Sequence, residues 1–426
     1  AILETNRGCP YGCTYCDWGS ATLAKVTKFS AERVIAEIEH IAQRESDAIF
    51  IADANFGMLE QDIEVAHALV AAHKKYGYPK RLFSNFAKNG GRRLMETIKI
   101  LHEGGLLPTG IIALQTTDPE VLEAIERDNI KTSSYEKMMT YFNQENIPMA
   151  SDLMIGLPGQ TVDSFAQDLQ FCFNWKVSAA ANYTSLMPNA PMAEKSYREK
   201  FGIIADDQDI IKSTNSFSET DMAYMKRLFT AYQFHVRFGI GKYILYYLQI
   251  EHGIEAIQFL RRWLAALDAE EEGLPLSNRV VVDIFKAGSR HENWAMIAWK
   301  SNADFLFSDL GSYCVELLEF AERAYGITLT EGEIATLKSA QEAVIPSLGR
   351  RYPYELSLDH DIVGYIKQIK DAPSVAQSDA GYLPLSRFPS GSLRVEADLE
   401  VYTSTAYANA GSHNDDWELP SPLRFY

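Results

Sequence analysis

The chain opens AILETNRGCPYGCTYCDWG (residues 1–19). Its first eight residues read as a β-strand, which runs directly into three cysteines, Cys9, Cys13 and Cys16. In a βα unit, chemistry-bearing residues gather at the C-terminal end of a parallel strand. A strand that empties into a cysteine loop therefore predicts the first unit of an α/β domain. The next segments keep the alternation: FSAERVIAEIEHIAQR (29–44) is helical, with Ser30 as the N-cap. AIFIADANF (48–56) is a strand and DIEVAHALVAAHKKYG (62–77) a helix. RLFSNFA (81–87), GIIALQT (110–116), PMASDLMIGL (148–157) and SAAANYTSLM (178–187) continue the strand series. Helices over 91–104, 118–127, 133–145 and 161–175 separate them, so six βα repeats fit before about Met192.

Beyond about residue 195 the pattern changes to long helices over 219–250, 252–269, 313–325 and 331–345, with a strand in SLRVEADLEVYTST (392–405). At 426 residues the chain exceeds a single core of roughly 250–300 residues. The expectation is a domain over 1–195 followed by an α-rich domain over 196–426 that covers the substrate site. AEEEG (269–273) and DAPSVAQSDAG (371–381) read as solvated loops, and DHDIVG (359–364) as a solvated helix start.

The composition, 46% hydrophobic and 23% charged, is that of a chain able to bury a core. A formal net charge of −17 repels phosphate backbones and anionic lipid, which argues against nucleic acid as a general partner. The absence of an apolar run of about 18 residues, and of a secretion signal at the start, leads to the expectation of a cytoplasmic protein without a membrane partner. The chain starts with Ala1 rather than Met, which suggests an N-terminal truncation.

Three of the five cysteines fall within one loop, while Cys172 and Cys314 stand apart in apolar surroundings, so no disulfide framework is expected. Three thiolates can hold three irons of a cubane and leave the fourth open to another ligand. The alternative metal, zinc, prefers four protein ligands at structural sites, and no fourth cysteine or histidine lies nearby in the sequence.

RGCPYGCTYC (7–16) resembles the cluster loop of the radical S-adenosylmethionine (SAM) superfamily, including the aromatic Tyr15 before the third cysteine. The resemblance covers about the first 190 residues. It implies a partial (βα)6 TIM-like barrel with a [4Fe-4S] cluster on Cys9, Cys13 and Cys16. SAM would chelate the open iron, be cleaved reductively to a 5′-deoxyadenosyl radical, and thereby abstract hydrogen from a substrate. It also implies a low-potential electron donor such as flavodoxin or ferredoxin.

The same resemblance assigns the strand ends, each of which has a purely structural alternative. Tyr15 would lie near the adenine. Asp53 and Asn55, in DANFG (53–57), would receive the SAM amino group in place of the commoner Gly-Gly-Glu. Lys88, near Ser84 and Asn85, and Gln115, with Thr116, would contact the ribose or carboxylate, and Arg127 the methionine carboxylate. Gly156, in GLPGQT (156–161), would let backbone approach the adenine, with Thr161 capping the next helix and Met187 bordering the ring. Trp18 would line the barrel mouth or pack against the loop. No general acid or base is identifiable.

ETNRGCPYGCTYCDWG (4–19), DANFG and GLPGQT together look most like the cobalamin-dependent methyltransferases of the superfamily, which methylate unactivated carbon or phosphorus. In those enzymes a cobalamin domain precedes the cluster loop, and the sequence contains none. Either such a domain lies before Ala1, or the chain is a cobalamin-independent relative. Oxidation, rearrangement or sulfur insertion on an organic or peptide substrate is the alternative chemistry. A non-catalytic metal-binding interaction module is the alternative class.

Overall fold

The computed structural model describes residues 1–21, 25–88, 91–106, 110–111, 113–128, 132–145, 147, 149–237, 239–285, 309–344, 351–376, 381–396 and 424–425. It divides into two compact units, Ala1–Lys226 and Arg227–Tyr426.

The first unit begins with β1 (Ile2–Leu3) and β2 (Asn6–Arg7), then the cysteine loop, α1 (Asp17–Ala21) and β3 (Thr27–Lys28). β2 and β3 pair antiparallel, Asn6 opposite Lys28, so that the loop is bracketed by a short ladder. The βα series follows: α2 (Ala31–Gln43), β4 (Ala48–Phe56), α3 (Gln61–Tyr76), β5 (Arg81–Phe86), α4 (Arg92–Glu103), β6 (Gly110–Ile111), α5 (Pro119–Ala124), α6 (Thr132–Gln144), β7 (Met149–Ile155), α7 (Val162–Asn174) and β8 (Ser178–Tyr183).

Two parallel sheets, ordered β1-β4-β5 and β6-β7-β8, hold the six strands. β5 lies beside β6. This is the α/β architecture expected from the alternating pattern. In β4 the buried positions Ile49, Ile51, Asp53 and Asn55 alternate with more exposed ones. They are apolar at the start and polar at the end, so one face supplies core first and chemistry last. Ser30 caps α2 by accepting from Arg33 N, and Thr161 forms a reciprocal capping box with Ser164 at α7.

The first unit runs past the boundary expected at residue 195. After β8, Ile211 N donates to Thr184 O at 2.9 Å and Leu186 N to Asp209 O at 2.8 Å. These bonds keep α8 (Lys195–Phe201) and the hairpin β9 (Ile204–Ala205) and β10 (Ile211–Ser213) with the sheets. The division falls instead within α9 (Glu219–Tyr232).

The second unit is mostly helical among the described residues. Its elements are α10 (Lys242–His252), α11 (Ala256–Asp268), α12 (Pro275–Arg279), α13 (Leu310–Tyr325), α14 (Glu331–Val344), β11 (Tyr354–Leu358), α15 (Ile362–Asp371), β12 (Gly391–Glu396) and β13 (Arg424–Phe425). The three strands form an antiparallel sheet ordered β11-β12-β13. The strand expected over 392–405 is present as β12 up to Glu396, and its remainder lies outside the described residues. Asp361 caps α15 through Val363 N and Gly364 N, as the DHDIVG segment suggested.

The single helix expected over 219–250 is two helices. Gln233–Arg237 form a π-helical turn, and Gly239, at φ +78°, precedes the restart at Lys242. Residues 233–236 are all buried. The wider turn shifts the helix register within this buried stretch.

His235 sits in that turn. A carbonyl only accepts, so Nδ1–H donates to Ala231 O at 2.8 Å, and Nε2 accepts from the Tyr313 hydroxyl at 2.6 Å. Burial lowers the His235 pKa to about 4, opposed by the Ala231 bond. Between an unfolded value of about 6.5 and this value, the unfolded chain binds a proton that the folded chain does not. Stability is therefore lost as pH falls through that window, by about 3 kcal/mol in full. His235→Gln is expected to flatten the slope of unfolding free energy against pH from 6.5 to 4, read by denaturant titration. An unchanged slope contradicts the assignment.

Candidate cluster and cofactor site

The cysteine loop is held by backbone bonds on both sides. Thr14 N donates to Ile125 O at 3.0 Å, and Met192 N donates to Thr14 O at 2.8 Å. The Thr14 hydroxyl donates to Tyr197 Oη at 3.1 Å, and Tyr197 donates to Ala124 O at 2.7 Å. Tyr197 on α8 thus fastens the loop to the end of α5. Nothing in its local sequence signals this, since the bonds join residues far apart in the chain.

Cys9 and Cys13 are buried and Cys16 is half-buried. The neighbouring strand ends aim donors at the sulfurs. Asn55, at the end of β4, donates through Nδ2 to Cys9 Sγ at 3.2 Å. Lys88, two residues after β5, donates through Nζ to Cys13 Sγ at 2.7 Å and lies 4.2 Å over the Tyr11 ring. Burial holds the Lys88 ammonium below the usual lysine range, with the Arg127 charge adding to the effect and the Cys13 sulfur opposing it. Burial also pushes the Cys16 thiol up, and the Trp18 backbone pulls it back.

The donor set fits an iron–sulfur cluster. It consists of sulfur ligands with amide and ammonium donors directed at two of them. Among the described residues, no three Cys, His, Asp or Glu side chains converge as a single metal ion requires.

Arg127 and Tyr15 are brought together. Arg127 Nη1 donates to the Tyr15 hydroxyl at 2.6 Å, and Nη2 donates to Ala113 O. The buried guanidinium therefore faces the loop rather than solvent. Burial raises the Tyr15 hydroxyl well above its usual range against the pull of Arg127, so it stays protonated.

Asp53 is engaged by the segment that leads into the cysteine loop. One carboxylate oxygen accepts from Thr5 N at 2.8 Å and Asn6 N at 3.3 Å. The other accepts from the Thr5 hydroxyl and from Asn6 Nδ2, the latter at 2.6 Å. Four donors from Thr5 and Asn6 meet this buried group, so it ties the segment that leads into Cys9 to β4. The Ser84 hydroxyl, buried on β5, has no partner among the described residues.

Gln115 and Gly156 lie on the second sheet. Gln115, at φ +67°, bridges to Leu153 through Gln115 N to Asp152 O and Met154 N to Gln115 O, both 2.8 Å. Gly156 follows β7 at φ +93°, and its N–H donates to Gln160 Oε1 at 2.8 Å. A Cβ there would come 2.6 Å from Met222 Cε. The methionine end can move, but the backbone cannot adopt this φ cheaply with a side chain. Gly156→Ala is expected to cost about 1–3 kcal/mol of unfolding free energy, and an unchanged denaturation midpoint contradicts the strained geometry. Trp18 is 46% exposed on α1, so it is not the packed aromatic of the loop.

Residues 3–172 match the family model of the Radical SAM superfamily. The cobalamin-dependent radical SAM methyltransferase TokK of Streptomyces tokunonensis is 34% identical over 283 residues, covering 61% of this chain and 41% of the relative. The 2-(S-pantetheinyl)-carbapenam-3-carboxylate methyltransferase of Streptantibioticus cattleyicolor is 34% identical over 286 residues, covering 62% and 41%. The chain thus spans about two-fifths of the length of these curated relatives. Among solved structures, the radical SAM methyltransferase TsrM from Kitasatospora setae, with cobalamin and a [4Fe-4S] cluster bound, aligns at a TM-score of 0.40 and 16% identity, over 45% of this chain and 35% of that one.

Proposed function

We propose that this chain, whose residues 3–172 match the Radical SAM superfamily model, is a radical SAM enzyme that cleaves SAM reductively and methylates an unactivated carbon of an organic or peptide substrate. The observation that carries the reading is the buried cysteine loop with Asn55 and Lys88 directed at its sulfurs from successive strand ends. When bound on these cysteines, a [4Fe-4S] cluster would supply the single electron needed to cleave SAM to methionine and a 5′-deoxyadenosyl radical.

The chain's own residues hold and shield that chemistry. Cys9, Cys13 and Cys16 ligate three irons. Asn55 and Lys88 stabilise two of the thiolates, and Asp53 fixes the strand from which Cys9 emerges. Arg127 holds Tyr15 at the edge of the loop and offers a cation for the SAM carboxylate. Gly156 and Gln115 border the adenine and ribose from the second sheet, where the backbone at Gly156 lets a flat ring approach closely. The electron comes from a low-potential donor of the flavodoxin or ferredoxin class.

A partial barrel formed by the two parallel sheets is the fold that suits this site. Methyl transfer is favoured over other radical outcomes by the two relatives at 34% identity, both named as methyltransferases. Cobalamin would then carry the methyl group to the substrate. After anaerobic reconstitution the chain is expected to carry about four irons and four sulfides. Label from methyl-labelled SAM should reach substrate only with cobalamin added. Transfer indifferent to cobalamin would favour a cobalamin-independent reaction, and a preparation that takes up zinc but no iron would overturn the cluster reading.

A further inference from the structure

We infer that Lys88 sets the reduction potential of the cluster from beside Cys13, as a fixed positive charge on a ligand sulfur rather than as a SAM ligand. The inference rests on the cluster reading above. Three observations carry it. The Nζ atom lies 2.7 Å from Cys13 Sγ, within direct hydrogen-bonding range. The ammonium also lies 4.2 Å over the Tyr11 ring, a second contact that holds it against the loop. The backbone that presents it is pinned, because Ala87 N donates to Phe56 O at 2.9 Å and joins the ends of β4 and β5.

Reduction of the cluster adds one electron and no proton, so the reduced state carries one more negative charge. A cation hydrogen-bonded to a ligand sulfur stabilises that state more than the oxidised one and raises the potential. Lys88 is only 9% exposed, so water screens this charge weakly. A low-potential donor then needs less driving force to load the cluster, which eases the first step of SAM cleavage. Asn55 makes the corresponding neutral contact at Cys9, so the two sulfurs receive donors of different charge.

The test compares Lys88→Met, Lys88→Gln and Lys88→Arg in the reconstituted full chain. It reads iron and sulfide content, the cluster midpoint by EPR-monitored redox titration, and the dissociation constant for SAM. Both neutral variants are expected to keep their iron and to lose at least about tenfold in the reduction equilibrium, a shift of about 59 mV to more negative potential for one electron. Lys88→Arg is expected to restore most of the shift, with SAM affinity little changed throughout.

A neutral variant with full iron and an unmoved midpoint overturns the inference. So does a tenfold loss of SAM affinity without a potential shift, which would make Lys88 a SAM ligand. Failure of both neutral variants to assemble a cluster that Lys88→Arg assembles would also overturn it, in favour of a role in assembly. A wild-type chain that binds no cluster would instead sink the reading on which the inference rests.

Discussion

Alanine at Cys9, Cys13 or Cys16 is expected to abolish cluster loading and SAM cleavage together, down to the level of a protein-free control. Two thiolates cannot hold a cubane in one orientation with a single iron open, and in a reducing preparation the remaining irons would go to solvent thiols. The buried positions of Cys9 and Cys13 sharpen the expectation, because an alanine there leaves Asn55 or Lys88 donating to nothing. The two other cysteines provide the contrast. Cys172 and Cys314 are fully buried, and burial pushes both thiols far up, so they are inert packing groups. Serine at either is expected to cost about 1–3 kcal/mol of stability by burying a hydroxyl, with iron content unchanged. Iron and sulfide analysis beside a 5′-deoxyadenosine assay checks the set. Full iron in a Cys9, Cys13 or Cys16 variant would remove that residue from the ligand set.

Alanine at Asp53 is the second large effect, and it is expected on stability before activity. The substitution strips the acceptor from Thr5 N, the Thr5 hydroxyl, Asn6 N and Asn6 Nδ2 in a buried setting. Unmet donors of that kind cost about 1–3 kcal/mol each where water cannot reach them. Partial relaxation brings a reasonable total to about 3–5 kcal/mol, a large share of the roughly 5–15 kcal/mol that holds a protein folded. The damage falls on the strand that delivers Cys9, so iron loading should fall with it. Asp53→Asn keeps the shape but turns an amide N–H₂ toward other donors, and about 1–3 kcal/mol is expected. Denaturant titration with parallel iron analysis reads both. A well-folded Asp53→Ala with full iron and weakened SAM binding would restore the ligand role that the sequence suggested.

Asp53 also marks where sequence reading stops. DANFG at the end of a strand advertised polar side chains at the correct depth, and Asn55 does meet a cysteine there. Which of the two carboxamide or carboxylate groups faces inward to the loop, and which backward to β1, depends on Thr5 and Asn6, nearly fifty residues earlier and without any periodic link to Asp53. Tyr197 and Tyr11 were invisible for the same reason. By contrast, the cysteine spacing, the Ser30 and Thr161 caps and the βα alternation are local patterns, and all of these appear where the sequence put them. The π-helical turn at 233–237 broke a helix that periodicity ran straight through, because apolar residues on every side conceal where the inward stripe changes register. The boundary beyond residue 195 moved because β9 and β10 bond back to the loop after β8, a tertiary choice that composition does not encode.

The most direct test is SAM cleavage itself. The anaerobically reconstituted chain, given SAM and a strong one-electron reductant, is expected to release 5′-deoxyadenosine and methionine in equal amounts. Release should depend on reductant and vanish in the Cys13→Ala variant. A chain that holds an intact cluster under these conditions and releases no 5′-deoxyadenosine would contradict the account.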